Sequence, residues 1–115
     1  MLIVYGLKNC DTCRNARKWL TDAGVDYRFA DLRDDGLTSD DIAAWCDAAG
    51  WQELLNKRST TWRQLPAAEK LQPDAAKAQA LMLRFPALIK RPVFVIGDTV
   101  MVGFNAPQKT VLASL

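Results

Sequence analysis

Histidine is absent from this chain of 115 residues, and cysteine occurs only three times, at Cys10, Cys13 and Cys46. A structural zinc site wants four Cys or His ligands and an iron–sulfur cluster wants four thiolates, so no metal centre of either kind is expected. Charge of one sign is lacking too. Lys and Arg number 15 against 13 Asp and Glu, a net charge of +2. That excess is too small to argue for nucleic acid or an anionic membrane as partner. No run of like charge reads as a binding tail. Long apolar runs are missing: none approaches the ~20 residues of a membrane span. The opening "MLIVYG" has no basic n-region and no extended apolar stretch, so neither a leader nor an anchor is expected and the cytoplasm is the expected compartment. Static disulfides are rare there. Repeats and low-complexity segments are also absent.

What is there is an ordinary globular balance, 50% apolar and 24% charged. The length suits one domain, and a chain of this size buries roughly 65% of its unfolded surface, enough for a core without staples. "LIVY" (Leu2 to Tyr5) reads as a buried strand closed by Gly6. From Asp11 to Ala23 the pattern turns helical, with Ala16, Leu20 and Ala23 on one face, Trp19 beside them and Gly24 as the C′ residue. "VDYRFADL" alternates like a second strand. Strand, helix, strand within about 30 residues implies a βαβ unit with parallel strands.

Thr38 or Ser39 caps the next helix, with Asp41 completing a capping box. Ile42, Trp45, Cys46 and Ala49 share its apolar face, and Gly50 ends it. "WQELLNKRSTTWRQL" gives a short helix, a basic loop and another short helix opening near Ser59 or Thr60. Pro73 and Asp74 open a further helix, with Asp74 in its first turn, that stops near Phe85 ahead of Pro86. "RPVFVIGDTVMVGF" reads as an antiparallel hairpin around Gly97-Asp98-Thr99, and "APQKTVLASL" as a last short helix. The economical architecture is α/β, a mixed sheet flanked by helices. No large apolar helix face is left over, so a monomer is expected.

The C-x-x-C pair is the exception to explain. Cys10 ends the loop after the first strand, and Cys13 lies in the first helical turn. Residues three apart on a helix have Cβ atoms about 5–6 Å apart, close enough for a disulfide with modest rearrangement. Unpaired N–H groups and the positive end of the helix dipole favour thiolate there. Lys8, Arg14 and Arg17 add positive charge, although Arg14 and Arg17 also read as solvated helix charges. A free thiol of pKa about 8.5 is only ~3% ionised at pH 7, and a pKa of about 6 makes it ~90% ionised. Cys10, more exposed, is the expected nucleophile, and Cys13 the thiol that resolves a mixed disulfide on it. A coincidental pair of inert thiols is the alternative. Cys46, on the apolar face of its helix, reads as a buried structural thiol. The four tryptophans read as packing residues.

C-x-x-C after the first strand of a βαβ pattern suggests a thioredoxin-like redox domain. Together "YGLKNCDTCRNARKWL", "LLNKRSTTWRQL", "ALMLRFPALIKRPVFV" and "VGFNAP", in this order over nearly the whole chain, resemble the ArsC/Spx family, closest to its YffB-like branch. The resemblance implies a thioredoxin-like (glutaredoxin-like) fold, with residues 1–37 and 86–115 as the core and 38–85 as a helical insertion. It implies Cys10 as the redox nucleophile and a cis peptide between Arg91 and Pro92 beside the cysteine loop.

Family members differ in activity. YffB-like members look like glutathione-dependent thiol reductases, arsenate reductases hold an oxyanion with three arginines and recycle through glutathione and glutaredoxin, and Spx proteins use the pair as a switch and bind RNA polymerase. Of the three arginines this chain keeps Arg91. Asn56 and Ala106 stand at the other two positions, with Arg58 two residues beyond the first, and arsenate reductases usually lack the second cysteine that Cys13 supplies. The leading expectation is a cytosolic thiol-disulfide oxidoreductase with no bound cofactor, glutathione as co-substrate, glutaredoxin as a possible partner, and a small oxidised thiol or oxyanion as substrate. Arsenate reduction and an Spx-like regulator are the alternatives. Arg91 and Arg58 are expected to hold a carboxylate of glutathione or a substrate anion, and Asn9 and Thr12 to orient the Cys10 thiolate. Pro92 is expected to border the substrate.

Overall fold

A computed structural model describes every residue from Met1 to Leu115. The chain forms two compact units, Met1–Gly36 with Arg91–Leu115, and Leu37–Lys90.

The first unit is built on a sheet of strands β1 (Leu2–Gly6), β2 (Tyr27–Asp31), β3 (Val93–Ile96) and β4 (Thr99–Val102), in the order β2-β1-β3-β4. β1 runs parallel to β2 with Leu2 opposite Tyr27, and antiparallel to β3 with Tyr5 opposite Val93. The parallel pair needs a crossover, supplied by helix α1 (Asp11–Asp22). β3 and β4 need only the two-residue turn Gly97-Asp98, where Gly97 takes φ 57°, the positive value a tight hairpin requires. Thr99, expected in that turn, already pairs with Ile96. The order is that of the expected thioredoxin-like fold, a mixed sheet flanked by helices.

Period-two alternation points Leu2, Val4 and Phe94 to one face of the sheet. Ala16 and Leu20 of α1 and Leu112 of the last helix, α7 (Ala106–Ala113), bury against them. All six are at most 3% exposed, and burial of each Leu, Val or Phe side chain stabilises by roughly 1.5–3 kcal/mol, that of Ala16 by less. Trp19 closes the edge of this core against Phe104, ring centroids 5.8 Å apart at 72°.

The second unit is helical: α2 (Ser39–Ala49), α3 (Trp51–Leu54), α4 (Thr60–Gln64), α5 (Ala67–Lys70), α6 (Ala75–Arg84) and a 3-10 turn at Pro86–Leu88. The Thr38/Asp41 capping box forms in both directions. Ile42, Trp45 and Cys46 are the buried face of α2. α6 departs from expectation at its start. Asp74 stands outside the helix as its N-cap, its carboxylate accepting from the Lys77 N–H at 2.8 Å, and Pro73 precedes it. The short α5 and the 3-10 turn were not anticipated. Residues 86–90, expected with the sheet, fall in the helical unit. There Leu55 bridges Ile89, the Asn56 N–H donates to Leu88 O at 2.7 Å, and the Lys90 N–H to Leu54 O at 2.8 Å. No helix is long and apolar enough to cross a membrane.

Candidate active site

Where β1 ends, Gly6 hands the chain to a short loop, and Cys10 closes it as the N-cap of α1. Its backbone is extended (φ −92°, ψ 123°), and the loop is tied by the Cys10 N–H to Leu7 O at 3.2 Å. The Cys10 carbonyl accepts from the Arg14 N–H at 3.0 Å, so the helix ladder starts at this residue. Cys10 is half-buried and Cys13, one turn in, is 1% exposed. Both are free thiols, as is Cys46.

The antiparallel register of β1 and β3 explains why Arg91 is here. Tyr5 pairs with Val93, so the residues just before Val93 run past the end of β1, where the cysteine loop begins. The Arg91–Pro92 peptide is cis. Arg91, half-buried, hydrogen-bonds the Cys10 sulfur.

The two thiols are shifted in opposite directions. Burial works to raise the Cys10 pKa. The Cys13 amide N–H, the Arg91 guanidinium, the Cys13 thiol and the Arg91 charge together outweigh it, and the net shift is downward. No Cys10 side-chain capping hydrogen bond of normal geometry forms, yet the Cys13 N–H faces the sulfur closely enough to favour its thiolate form. Cys13 is pushed up to about 11, first by burial and then by its hydrogen bond to Cys10 and the Cys10 charge, against a lowering contact from the Leu7 backbone. At neutral pH Cys13 is therefore held as the thiol.

Gly6, which in the sequence only closes the strand, also shapes the site. A Cβ placed on it would lie 2.5 Å from Cys13 Sγ, 3.3 Å from Cys13 Cβ and 3.4 Å from Phe29 Cε1. The Cys13 sulfur therefore occupies the space a side chain would need, and only glycine leaves room for it.

Asp31 is the second omission. It ends β2, is 5% exposed, and is the sole charged residue in the core. Its carboxylate accepts from three backbone N–H groups: Lys8 at 3.1 Å, Arg33 at 2.8 Å and Asp34 at 3.0 Å. Burial works to raise its pKa. The amides of Asp34, Arg33 and Lys8 and the Lys8 charge outweigh it, so Asp31 is held ionised below the usual carboxylate range. One buried carboxylate thus clamps the cysteine loop to the turn after β2. Leu7, Lys8, Asn9, Cys10, Asp31, Arg33, Asp34 and Arg91 line an open cleft of about 190 Å³.

Cys10, Cys13, Asn9 and Arg91 are therefore brought together in one unit. Asn9 is exposed and lines the cleft. Thr12 is exposed on α1 and is absent from the cleft wall. Pro92 is buried, and its carbonyl accepts from the Gly103 N–H at 2.9 Å. Arg58 belongs to the helical unit, where it lines a second cleft with Gln52, Leu55, Asn56, Lys57 and Lys90. Ala106 opens α7.

A sequence model of the ArsC family matches residues 5–111. The chain belongs to the ArsC family. Among solved structures, one of a protein named YffB is similar over 98% of both chains, with a TM-score of 0.91 and 42% identity. An arsenate reductase related protein from Brucella melitensis is 40% identical, with 99% of this chain and 95% of that one covered and a TM-score of 0.80. An uncharacterized protein of Haemophilus influenzae is 41% identical over 94% of this chain and 95% of its own. A global transcriptional regulator, Spx 2 of Bacillus anthracis, is 25% identical over 91% of this chain and 81% of its own. The ArsC-family fold thus carries, in this chain, a C-x-x-C pair at the N-terminus of α1 with an arginine against the first sulfur.

Proposed function

We propose that this ArsC-family protein is a thiol-disulfide oxidoreductase that uses glutathione as co-substrate, with Cys10 as nucleophile and Cys13 as resolving thiol. The observation that carries this reading is the opposite shift of the two thiols, Cys10 favoured as thiolate with Arg91 against it and Cys13 held protonated. A nucleophile must be ionised to attack, and a resolving thiol must wait.

The same contacts time the steps. The Cys10 thiolate attacks one sulfur of a substrate disulfide. A new S–S bond forms to Cys10, the substrate bond breaks, and its far sulfur leaves with the electron pair as thiolate. Cys10 is now neutral, so the part of the Cys13 shift that came from the Cys10 charge disappears. Cys13 gives up its proton more readily, to water or to the thiolate released in the first step, and attacks Cys10 Sγ, forming the Cys10–Cys13 disulfide and expelling the second substrate thiolate. Two glutathiones then reduce that disulfide in successive exchanges and leave as glutathione disulfide. The net reaction turns one substrate disulfide and two glutathiones into two substrate thiols and one glutathione disulfide. Glutaredoxin is the natural alternative acceptor of a mixed disulfide left on Cys10. Arg91 acts by stabilising sulfur anions, both the attacking thiolate and Cys10 as a leaving group.

The test is trapping. Cys13→Ser protein incubated with glutathione disulfide should accumulate one glutathione on Cys10, seen as a single adduct by mass spectrometry. Wild type should pass through it to the internal disulfide. No adduct in the variant would sink the reading.

The Spx-type relatives favour a second reading, in which the same pair is a redox switch for binding RNA polymerase. Polymerase retained by the reduced or oxidised protein, with no turnover of thiol substrates, would decide for it. Arsenate reduction is the less favoured reading. Of the three arginine positions the family's arsenate reductases use, Arg91 alone is kept, and saturable arsenate turnover with glutathione and glutaredoxin would reinstate it.

A further inference from the structure

The cleft beside Cys10 holds three cationic side chains, and they are not equivalent. Arg91 is engaged with the Cys10 sulfur. Lys8 Nζ is 3.2 Å from Asp34 Oδ2. Arg33 is exposed, and its guanidinium forms neither an ion pair nor a hydrogen bond. The acidic groups of the wall are already engaged. Asp31 is taken by its three amides and Asp34 by Lys8, while Asp35 Oδ2, just behind the wall, accepts from the Asp31 N–H at 2.6 Å. Arg33 therefore brings a positive charge that nothing in the cleft neutralises. Its backbone is also held, because its own N–H is one of the donors to the buried Asp31 carboxylate. The side chain starts from a clamped turn, which lowers the entropy cost of fixing a ligand there.

We infer that Arg33 is a carboxylate anchor, and that the cleft takes one arm of an anionic, peptide-like disulfide whose sulfur is presented to Cys10. This rests on the thiol-disulfide reading above and deepens it by naming the class of substrate. A guanidinium pairs with a carboxylate through two parallel N–H···O bonds, a geometry a neutral disulfide has nothing to meet. At about 190 Å³ the cleft is smaller than a pocket for a whole drug-sized molecule, so it suits one arm and leaves the departing thiolate in water.

The experiment uses Cys13→Ser protein, in which the Cys10 mixed disulfide accumulates. Its second-order rate of formation is measured with glutathione disulfide, which carries carboxylates, and with hydroxyethyl disulfide, which is neutral. The measurement is repeated with Arg33→Gln and Arg33→Glu added. An exposed ion pair is worth at most about fivefold, so Arg33→Gln should slow glutathione disulfide by up to about that factor and Arg33→Glu by more. Hydroxyethyl disulfide should react within about twofold of the parent protein throughout. The difference should shrink at about 1 M salt, where the Debye length is about 3 Å. A rate ratio that Arg33→Glu leaves unchanged, with reactivity intact, overturns the anchor alone. Cys10 inert to both disulfides overturns the thiol-disulfide reading and the anchor with it.

Discussion

Replacing Gly6 by alanine would set a methyl carbon 2.5 Å from Cys13 Sγ, where non-bonded carbons prefer about 3.5–4.0 Å and sulfur somewhat more. The sulfur or the strand must yield by more than about 1 Å. Neither moves freely, since Cys13 is 1% exposed and Gly6 is paired in β1 with Asp31. Overpacking of this kind costs about 1–3 kcal/mol, which for a domain of this size lowers Tm by very roughly 4–8 °C per kcal/mol at most. A double-mutant cycle with Cys13→Ala separates this contact from a general effect of the extra methyl. With the sulfur removed, the nearest atoms are a Cβ at 3.3 Å and Phe29 Cε1 at 3.4 Å, tight but tolerable with small adjustment. Gly6→Ala should therefore cost at least about 1 kcal/mol less in the Cys13→Ala background, a coupling well above the ~0.5 kcal/mol scatter of independent sites. Urea unfolding of the four proteins measures it. Equal destabilisation in both backgrounds would refute the claim that the glycine exists to seat the sulfur.

Other outcomes follow from the same geometry. Arg91→Ala should move the pH profile of Cys10 alkylation upward, because both the hydrogen bond and the charge that favour the thiolate are lost. Asp31→Asn should destabilise by roughly 1–3 kcal/mol near neutral pH, since at least one buried amide loses its charged acceptor. Asp31 has a depressed folded pKa, so its contribution is fully present above the unfolded carboxylate value of about 3.9 and is lost as pH falls through the folded value. The gap between wild type and Asp31→Asn should close in acid denaturation scans below about pH 4. Thr38→Ala should cost about 1 kcal/mol, through loss of the capping box of α2, with Cys10 reactivity unchanged.

Much of the fold was legible because short-range patterns determine it. "LIVYG" can hardly be other than a buried strand, and Thr38-x-x-Asp41 ahead of an apolar face announces a helix. The first turn around Cys10 and Cys13 was legible for the same reason, since a C-x-x-C spacing on a helix fixes who faces whom. Short elements were not. "AAEK" is too brief for a helical period to show, and Pro86 marks the stop of α6 without revealing the turn it starts.

In the site, the missing parts are those that depend on distant pairing. Gly6 reads as a strand terminator until the sulfur of Cys13 is seen against it. Asp31 sits in "DLRDD", a stretch that looks like a solvated acidic turn. Only the parallel pairing of β2 beside β1 buries it and points the Lys8 amide at its carboxylate. Arg91 was marked by resemblance, and the β1–β3 register supplies the physical reason for its place.

The most direct measurement is the pH dependence of alkylation at each cysteine separately, resolved by peptide mass spectrometry on the reduced wild-type protein. Cys10 should react first, with an apparent pKa below that of a free thiol, and Cys13 should stay protected until the solution is strongly alkaline. Labelling of Cys13 ahead of Cys10, or one ordinary thiol profile for both, would contradict it.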